Sequence, residues 1–361
     1  MRSRLILIVL LAAAVAAEAA AVRGVTRVLL RTPTASKAAL AVPQPTVKVT
    51  SVAPVVSTVK SGTFTVQFTE LGTHATRAKV MERLFSSGSV ARFVGAVPSE
   101  TTAEQLVEQA DALMLSYVPA KEQFQVIIPA SFNTNNASEW GLFVWCSPGG
   151  KPELPSGWLA ALERHKLLFV SPLNNGNARN TQAQSKGSAF PFCNYEPFAG
   201  ALVARHNMVQ RYGLDEKRVF VSGHSGGANT ASELGVCFPD QFAGAIPFMS
   251  CKGYAALPGS ATAGGAKWEK YLDPLYDQPS ESILNRARQE SRFVLVAGKS
   301  DTVPFGGSWK GANRQQAELL FTHQFQKDDF KQARFILAPT GHGLPSAAVL
   351  DEALRFVDGP R

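Results

Sequence analysis

From about residue 115 to the C-terminus, short apolar runs alternate with longer stretches whose apolar residues recur every three or four positions. Phe124–Ile128, Leu142–Cys146, Leu167–Val170, Arg218–Ser222, Gly244–Met249, Phe293–Ala297 and Arg334–Leu337 have strand length and are bounded by turn residues. Trp158–His165, Phe198–Tyr212, Ala228–Val236, Gln315–Gln326 and Ala347–Val357 have helical period. Strands that are apolar throughout are buried on both faces. The pattern therefore predicts an α/β domain over residues 115–361, a mostly parallel sheet flanked by helices. In such a sheet function collects at the carboxyl ends of the strands.

Ahead of this domain the pattern weakens. Gly62–Phe68 alternates like a short strand, and His74–Phe85 and Thr102–Met114 read as helices, so residues 61–114 are expected to form a small N-terminal module, or an elaboration of the next domain, to which no chemistry attaches. Residues 20–60, with Pro33, Pro43, Pro45 and Pro54 among Thr, Val, Ala and Ser, have little amphipathic period and predict an extended linker. At the start, Arg2 and Arg4 precede an apolar stretch from Leu5 to Leu11 and its following alanines, and Ala17-Glu18-Ala19 offers a small-x-small cleavage site. Residues 1–19 thus read as a secretory signal peptide, and the chain as secreted or periplasmic. No later run approaches the roughly 20 apolar residues that span a bilayer, so no stable membrane span is expected after cleavage.

Composition narrows the function classes. A chain of 361 residues with 45% hydrophobic and 18% charged residues is globular rather than disordered or fibrous. The formal net charge is +8, but Lys and Arg are scattered without a block of five or six, so no nucleic-acid partner is expected. Attraction to an acidic polymer, glycan or cell surface stays open. Cys146, Cys193, Cys237 and Cys251 are an even count in an exported chain, which predicts one or two disulfides whose pairing stays open. No C-x-x-C or Cys/His ligand spacing occurs, and neither a metal nor an organic cofactor is expected. Nothing indicates the oligomeric state.

The candidate chemistry starts at one corner. The strand Arg218–Ser222 runs into Gly223-His224-Ser225-Gly226-Gly227 and then into a helix, which is G-x-S-x-G in the strand-to-helix setting that a nucleophile elbow requires. The turn leaves room only for glycine at 223 and 227, and Ser225 stands at its tip. The amide of Gly226, at the head of the helix, is placed to face a developing oxyanion.

A serine hydroxyl needs a base, itself oriented by an acid, and in this setting the chain order is Ser, acid, His. Two histidines follow Ser225. His323 lies inside the helix Gln315–Gln326, whereas His342 lies in the loop Ala338–Pro345 after a strand and is the candidate base. Asp301 follows the strand Phe293–Ala297 in the same way and is the candidate acid, ahead of Asp273 and Asp277, which have no strand before them, and of Asp328 and Asp329 at a helix end. The second oxyanion donor is expected from the loop Ser147-Pro148-Gly149-Gly150. Proline has no amide hydrogen, so Gly149 is the candidate.

The stretch Tyr212–Gly227, with Cys237-Phe238-Pro239-Asp240-Gln241-Phe242-Ala243-Gly244 after it, resembles secreted α/β-hydrolase esterases of the polyhydroxyalkanoate depolymerase and feruloyl esterase type. The resemblance spans about residues 115–358 and is strong around the elbow. It implies an α/β-hydrolase fold and hydrolysis of small or polymeric esters through an acyl-enzyme, with Ser225, Asp301 and His342 matching the nucleophile, acid and base. The chain departs from the family in two places. Ser147-Pro148 stands where His-Gly is usual, and Gly343-Leu344 follows His342 in place of Trp. A peptidase of the same fold and a non-catalytic binding protein are the alternatives to the esterase reading.

Overall fold

The structure, a computed structural model, describes residues 60–84, 118–174, 195–253, 279–306 and 309–359. All of them fall within one compact unit, Pro54–Arg361. Its centre is an eight-stranded sheet of β1 (Gly62–Val66), β2 (Phe124–Ile128), β3 (Gly141–Cys146), β4 (Leu167–Pro172), β5 (Val219–His224), β6 (Gly244–Phe248), β7 (Arg292–Gly298) and β10 (Gln332–Ala338), in the order β1-β2-β4-β3-β5-β6-β7-β10. Every pair from β4 to β10 is parallel. Only β2 runs against its neighbours, pairing antiparallel with both β1 and β4. A short hairpin of β8 (Pro304–Gly306) and β9 (Trp309–Ala312) stands apart from the sheet. This is the α/β-hydrolase fold.

Side chains on one strand point alternately to the two faces, and β3 makes the consequence visible. Leu142, Val144 and Cys146 join one apolar cluster, while Phe143 and Trp145 join another. The first cluster includes residues of α1 (Arg77–Leu84), α3 (Tyr195–Tyr212), α4 (Gly226–Cys237) and α5 (Glu281–Glu290). The second includes α2 (Trp158–Arg164) and α7 (Ala347–Asp358). With both faces covered, a solvent-facing polar alternation has no place. That is why β3, β4 and β6 are buried at every position.

The described part of residues 61–114 is built into the main sheet and its core. Gly62–Val66 is the edge strand of the main sheet, in register from Gly62 opposite Ile128 to Val66 opposite Phe124. In α1, Val80 is fully buried in the first apolar cluster, and Arg83 clamps Asp240 through two hydrogen bonds of 2.9 and 3.2 Å. A segment that completes the sheet and the core is part of the domain. The expected helix at Thr102–Met114 lies outside the described residues.

The expected disulfides are absent from the described cysteines. Cys146, Cys237 and Cys251 are buried free thiols, each walled off in the apolar interior, and Cys193 lies outside the described residues. No described helix is long and apolar enough to cross a membrane.

Candidate active site

At the carboxyl end of β5 the chain passes from strand to helix through one residue. Ser225 has φ 53° and ψ −119°, a backbone conformation that non-glycine residues rarely adopt, and α4 begins at the next residue. Such strain persists only where the surroundings over-determine it. Here the Ser225 amide donates to the Phe248 carbonyl at 2.9 Å, while the Ser225 carbonyl accepts from Ala228 at 2.9 Å. A methyl group on Gly227 would overlap the Cys146 carbonyl oxygen, and one on Gly223 would overlap Gly227 and come 2.7 Å from the same oxygen. Both glycines are therefore required by close backbone approach to the end of β3.

Ser225, His342 and Asp301 are brought together. His342 Nε2 lies 2.9 Å from Ser225 Oγ, and His342 Nδ1 lies 2.8 Å from Asp301 Oδ2. Asp301 is buried, with its side chain 0% exposed, while the His342 ring remains 21% exposed. A buried carboxylate accepts hydrogen bonds, so Nδ1 carries the imidazole proton and Nε2 presents its lone pair to the serine hydroxyl. The arrangement can take the Ser225 proton and hold it on a ring braced by a carboxylate.

Backbone chemistry around the acid and the base explains their placement. Asp301 Oδ1 accepts from the Val303 amide at 3.0 Å, and the Val303 carbonyl accepts from both the backbone and the side-chain amide of Asn313, each at 2.9 Å. Buried Asn313 heads α6 (Asn313–Leu320) and so pins the acid's turn to a helix. Near its Oδ1 lies Ser250 Oγ, which donates to Asn229 of α4 at 2.8 Å. On the base side, Ser300 donates its amide to the Thr340 carbonyl at 3.0 Å, and the indole N–H of Trp158 donates to the Pro345 carbonyl at 2.9 Å. No sequence spacing marks Asn229, Ser250 or Asn313: the Asn229 amide donates to the Ser225 carbonyl at 3.3 Å as any α4 residue there would, and Ser250 and Asn313 reach the site only through neighbours.

The two candidate oxyanion donors stand differently. Gly226 is the first helical residue of α4, where an amide has no intrahelical acceptor. In the loop after β3, the Ser147 hydroxyl donates within its own turn to the Lys151 carbonyl, and the Gly150 amide points to the Ser147 carbonyl at 3.4 Å. Pro148 has no amide hydrogen, which leaves the amides of Ser147 and Gly149. Gly149 is exposed, with open space where a Cβ would sit. Asn174, just after β4, gives its amide to the Gly150 carbonyl at 2.7 Å and so braces this loop.

His224, immediately before the serine, has its pKa lowered, chiefly by burial and less by the nearby His342 ring; the hydrogen bond to the His342 carbonyl and the Asp301 charge oppose the shift. Of the competing carboxylates, Asp329 pairs with Lys331 and Asp328 lies 3.9 Å from Arg288, while Asp273 and Asp277 lie outside the described residues. Trp145 and Trp158 are core residues, 1% and 0% exposed. A polar cavity of about 190 Å³ opens elsewhere, lined by Gly72, His74, Arg205, His206 and Glu216 among others, and shares no residue with the site.

No family model matches the chain, and no curated protein matches it. Among solved structures, it is similar to an S-formylglutathione hydrolase from Staphylococcus aureus, with 18% identity over 66% of this chain and 89% of that one and a TM-score of 0.40. It is also similar to an esterase from the Planctomycetes species Thermogutta terrifontis, with 14% identity over 66% and 85% and a TM-score of 0.41. The dipeptidyl peptidase 4 of Porphyromonas gingivalis is 13% identical over 66% of this chain, with a TM-score of 0.40, and this chain spans 33% of its length. The fold assignment rests on the strand order and the serine corner, apart from these likenesses.

Proposed function

We propose that this chain is an exported serine hydrolase that cleaves carboxylic esters. The observation that carries the reading is the position of one imidazole, 2.9 Å from the Ser225 hydroxyl on one side and 2.8 Å from a buried carboxylate on the other. Ser225 Oγ attacks the ester carbonyl carbon while its proton passes to His342 Nε2. Negative charge then gathers on the carbonyl oxygen, faced by the Gly226 amide and by a second amide from the loop after β3, assigned to Gly149. Asp301 keeps the ring in the productive tautomer and balances the imidazolium without taking its proton. Collapse of the tetrahedral intermediate breaks the bond to the alkoxide, which leaves with the proton from His342. Water, deprotonated by the same nitrogen, attacks the acyl-enzyme, and the returning proton restores Ser225 as the acid departs.

The ester preference and the depolymerase or feruloyl esterase type rest on the resemblance of residues 212–244, and export rests on Arg2, Arg4 and the apolar stretch after them. The test is turnover of 4-nitrophenyl esters and of peptide anilides by the purified chain without residues 1–19, together with labelling by a fluorophosphonate. Ester turnover and labelling, both lost in Ser225→Ala, are the expected result. kcat should fall by roughly 10⁴ to 10⁶ in Ser225→Ala and His342→Ala. Ester turnover retained by both variants defeats the proposal, and anilide cleavage without ester cleavage moves it to a peptidase.

A further inference from the structure

We propose that His224 is a positioning residue that locks the base to the strand carrying the nucleophile. This rests on the serine hydrolase reading above. His224 Nε2 lies 2.6 Å from the backbone carbonyl oxygen of His342, and the two rings are 5.2 Å apart between centroids. A carbonyl only accepts, so Nε2 carries the proton and donates it. Burial favours the neutral ring that this tautomer needs.

The bond is placed where it matters. His342 is flanked by Gly341 and Gly343, and a Cβ at Gly343 would meet open space, so on its C-terminal side sterics fix the chain only loosely. The other ties of the loop, Ser300 to Thr340, the Thr340 hydroxyl to the Gly343 carbonyl at 3.5 Å and Trp158 to Pro345, hold residues other than His342. Among the described residues, the donation from His224 is the one hydrogen bond made by the backbone of His342 itself. His224 and Ser225 are adjacent in the chain, so nucleophile and base are joined by a path of one peptide bond and one hydrogen bond. That path fixes the 2.9 Å separation across which the proton moves.

The experiment compares His224→Gln, whose amide nitrogen donates at a similar reach, with His224→Met, which has similar length and no donor. Each is assayed with 4-nitrophenyl butyrate and for its rate of fluorophosphonate labelling, beside the parent chain. His224→Gln is expected to keep kcat within about threefold. His224→Met is expected to lose about 10²-fold in kcat and in labelling rate, with KM within twofold, because the nucleophile and base lose register rather than the substrate losing contacts. Equal retention in the two variants overturns the inference, as does equal loss, whether through misfolding or through turnover. A parent chain that neither turns over nor labels overturns the serine hydrolase reading and this inference together. An active parent with equivalent variants overturns this one alone.

Discussion

Gly298 and Gly341 are in backbone contact: a methyl group on Gly298 would overlap the Gly341 carbonyl oxygen and come 2.8 Å from that of Thr340. Gly298 ends β7, three residues before Asp301, and Gly341 immediately precedes His342. The acid's strand and the base's loop therefore meet through main chain with nothing between them. The Ser300 amide continues the contact by donating to the Thr340 carbonyl.

Gly298→Ala is accordingly expected to separate the two loops. Overpacking of this kind costs about 1–3 kcal/mol, and a displacement of the base by roughly 1 Å lowers turnover about 10²-fold. Denaturant unfolding and ester kinetics on the same preparation check both halves. An alanine variant with parental kcat would show that the loops can part without disturbing His342.

The two glycine loops that face the proposed oxyanion make a contrast. Gly227→Ala drives a methyl group into the Cys146 carbonyl, whereas Gly149→Ala places one in open space. The first is expected to cost several kcal/mol and to abolish fluorophosphonate labelling. The second should leave the melting temperature within a degree or two and keep its amide for the oxyanion. Melting curves with labelling assays separate the pair.

What could be read from the chain alone follows from what each element depends on. The strand at Phe124–Ile128 is legible to the residue because its buried positions Phe124, Val126 and Ile128 alternate within a run bounded by turn residues, and the serine corner because only glycine fits at 223 and 227. Helix Glu281–Glu290 is not among the expected elements: it is short and mostly polar, and with only Leu284 and Ala287 buried it has no apolar run to stand out in the chain. The edge strand Gly62–Val66 reads as a strand, but whether it forms a module of its own or extends the main domain is open in the sequence, since its partner lies about 60 residues away and register across such a gap leaves no local mark. Asn313 was invisible for a related reason. Its value lies in holding the Val303 carbonyl from a helix end, and a single asparagine has no spacing to betray that.

Burial pushes the Cys146 and Cys251 thiols up to about 12, and Cys237 also upward with the Glu233 charge adding to the effect. Thiolate is the reactive form, so these groups are inert while the fold is intact. In a Cys193→Ala background, Ellman's reagent at pH 8 is expected to find no reactive thiol in the native chain and three after denaturation. Rapid native reaction at any of them would contradict the close packing around the end of β3 and along α4.

Stability should fall on the acid side in two separate windows. Burial lowers the His74 pKa below its ordinary 6.5, and Arg83, Arg205 and Lys79 add to the shift against the opposing pull of Asp240. The native ring is therefore neutral where the unfolded one already binds a proton. The unfolded state gains protons first, and stability is lost as pH drops from about 6.5 towards the lowered native value. Asp240 acts lower down: burial pushes its pKa up, but the hydrogen bonds and charge of Arg83 outweigh that and hold it below the ordinary carboxylate value. Its contribution is present above about pH 4 and is lost as pH falls through the native value. Denaturant unfolding of the parent and of His74→Asn at pH 7.5, 5.5, 4.5 and about 3 resolves the windows. The asparagine variant is expected to lose less stability than the parent between pH 7.5 and 5.5, and a parental slope in that interval would show that His74 is not held neutral by the fold.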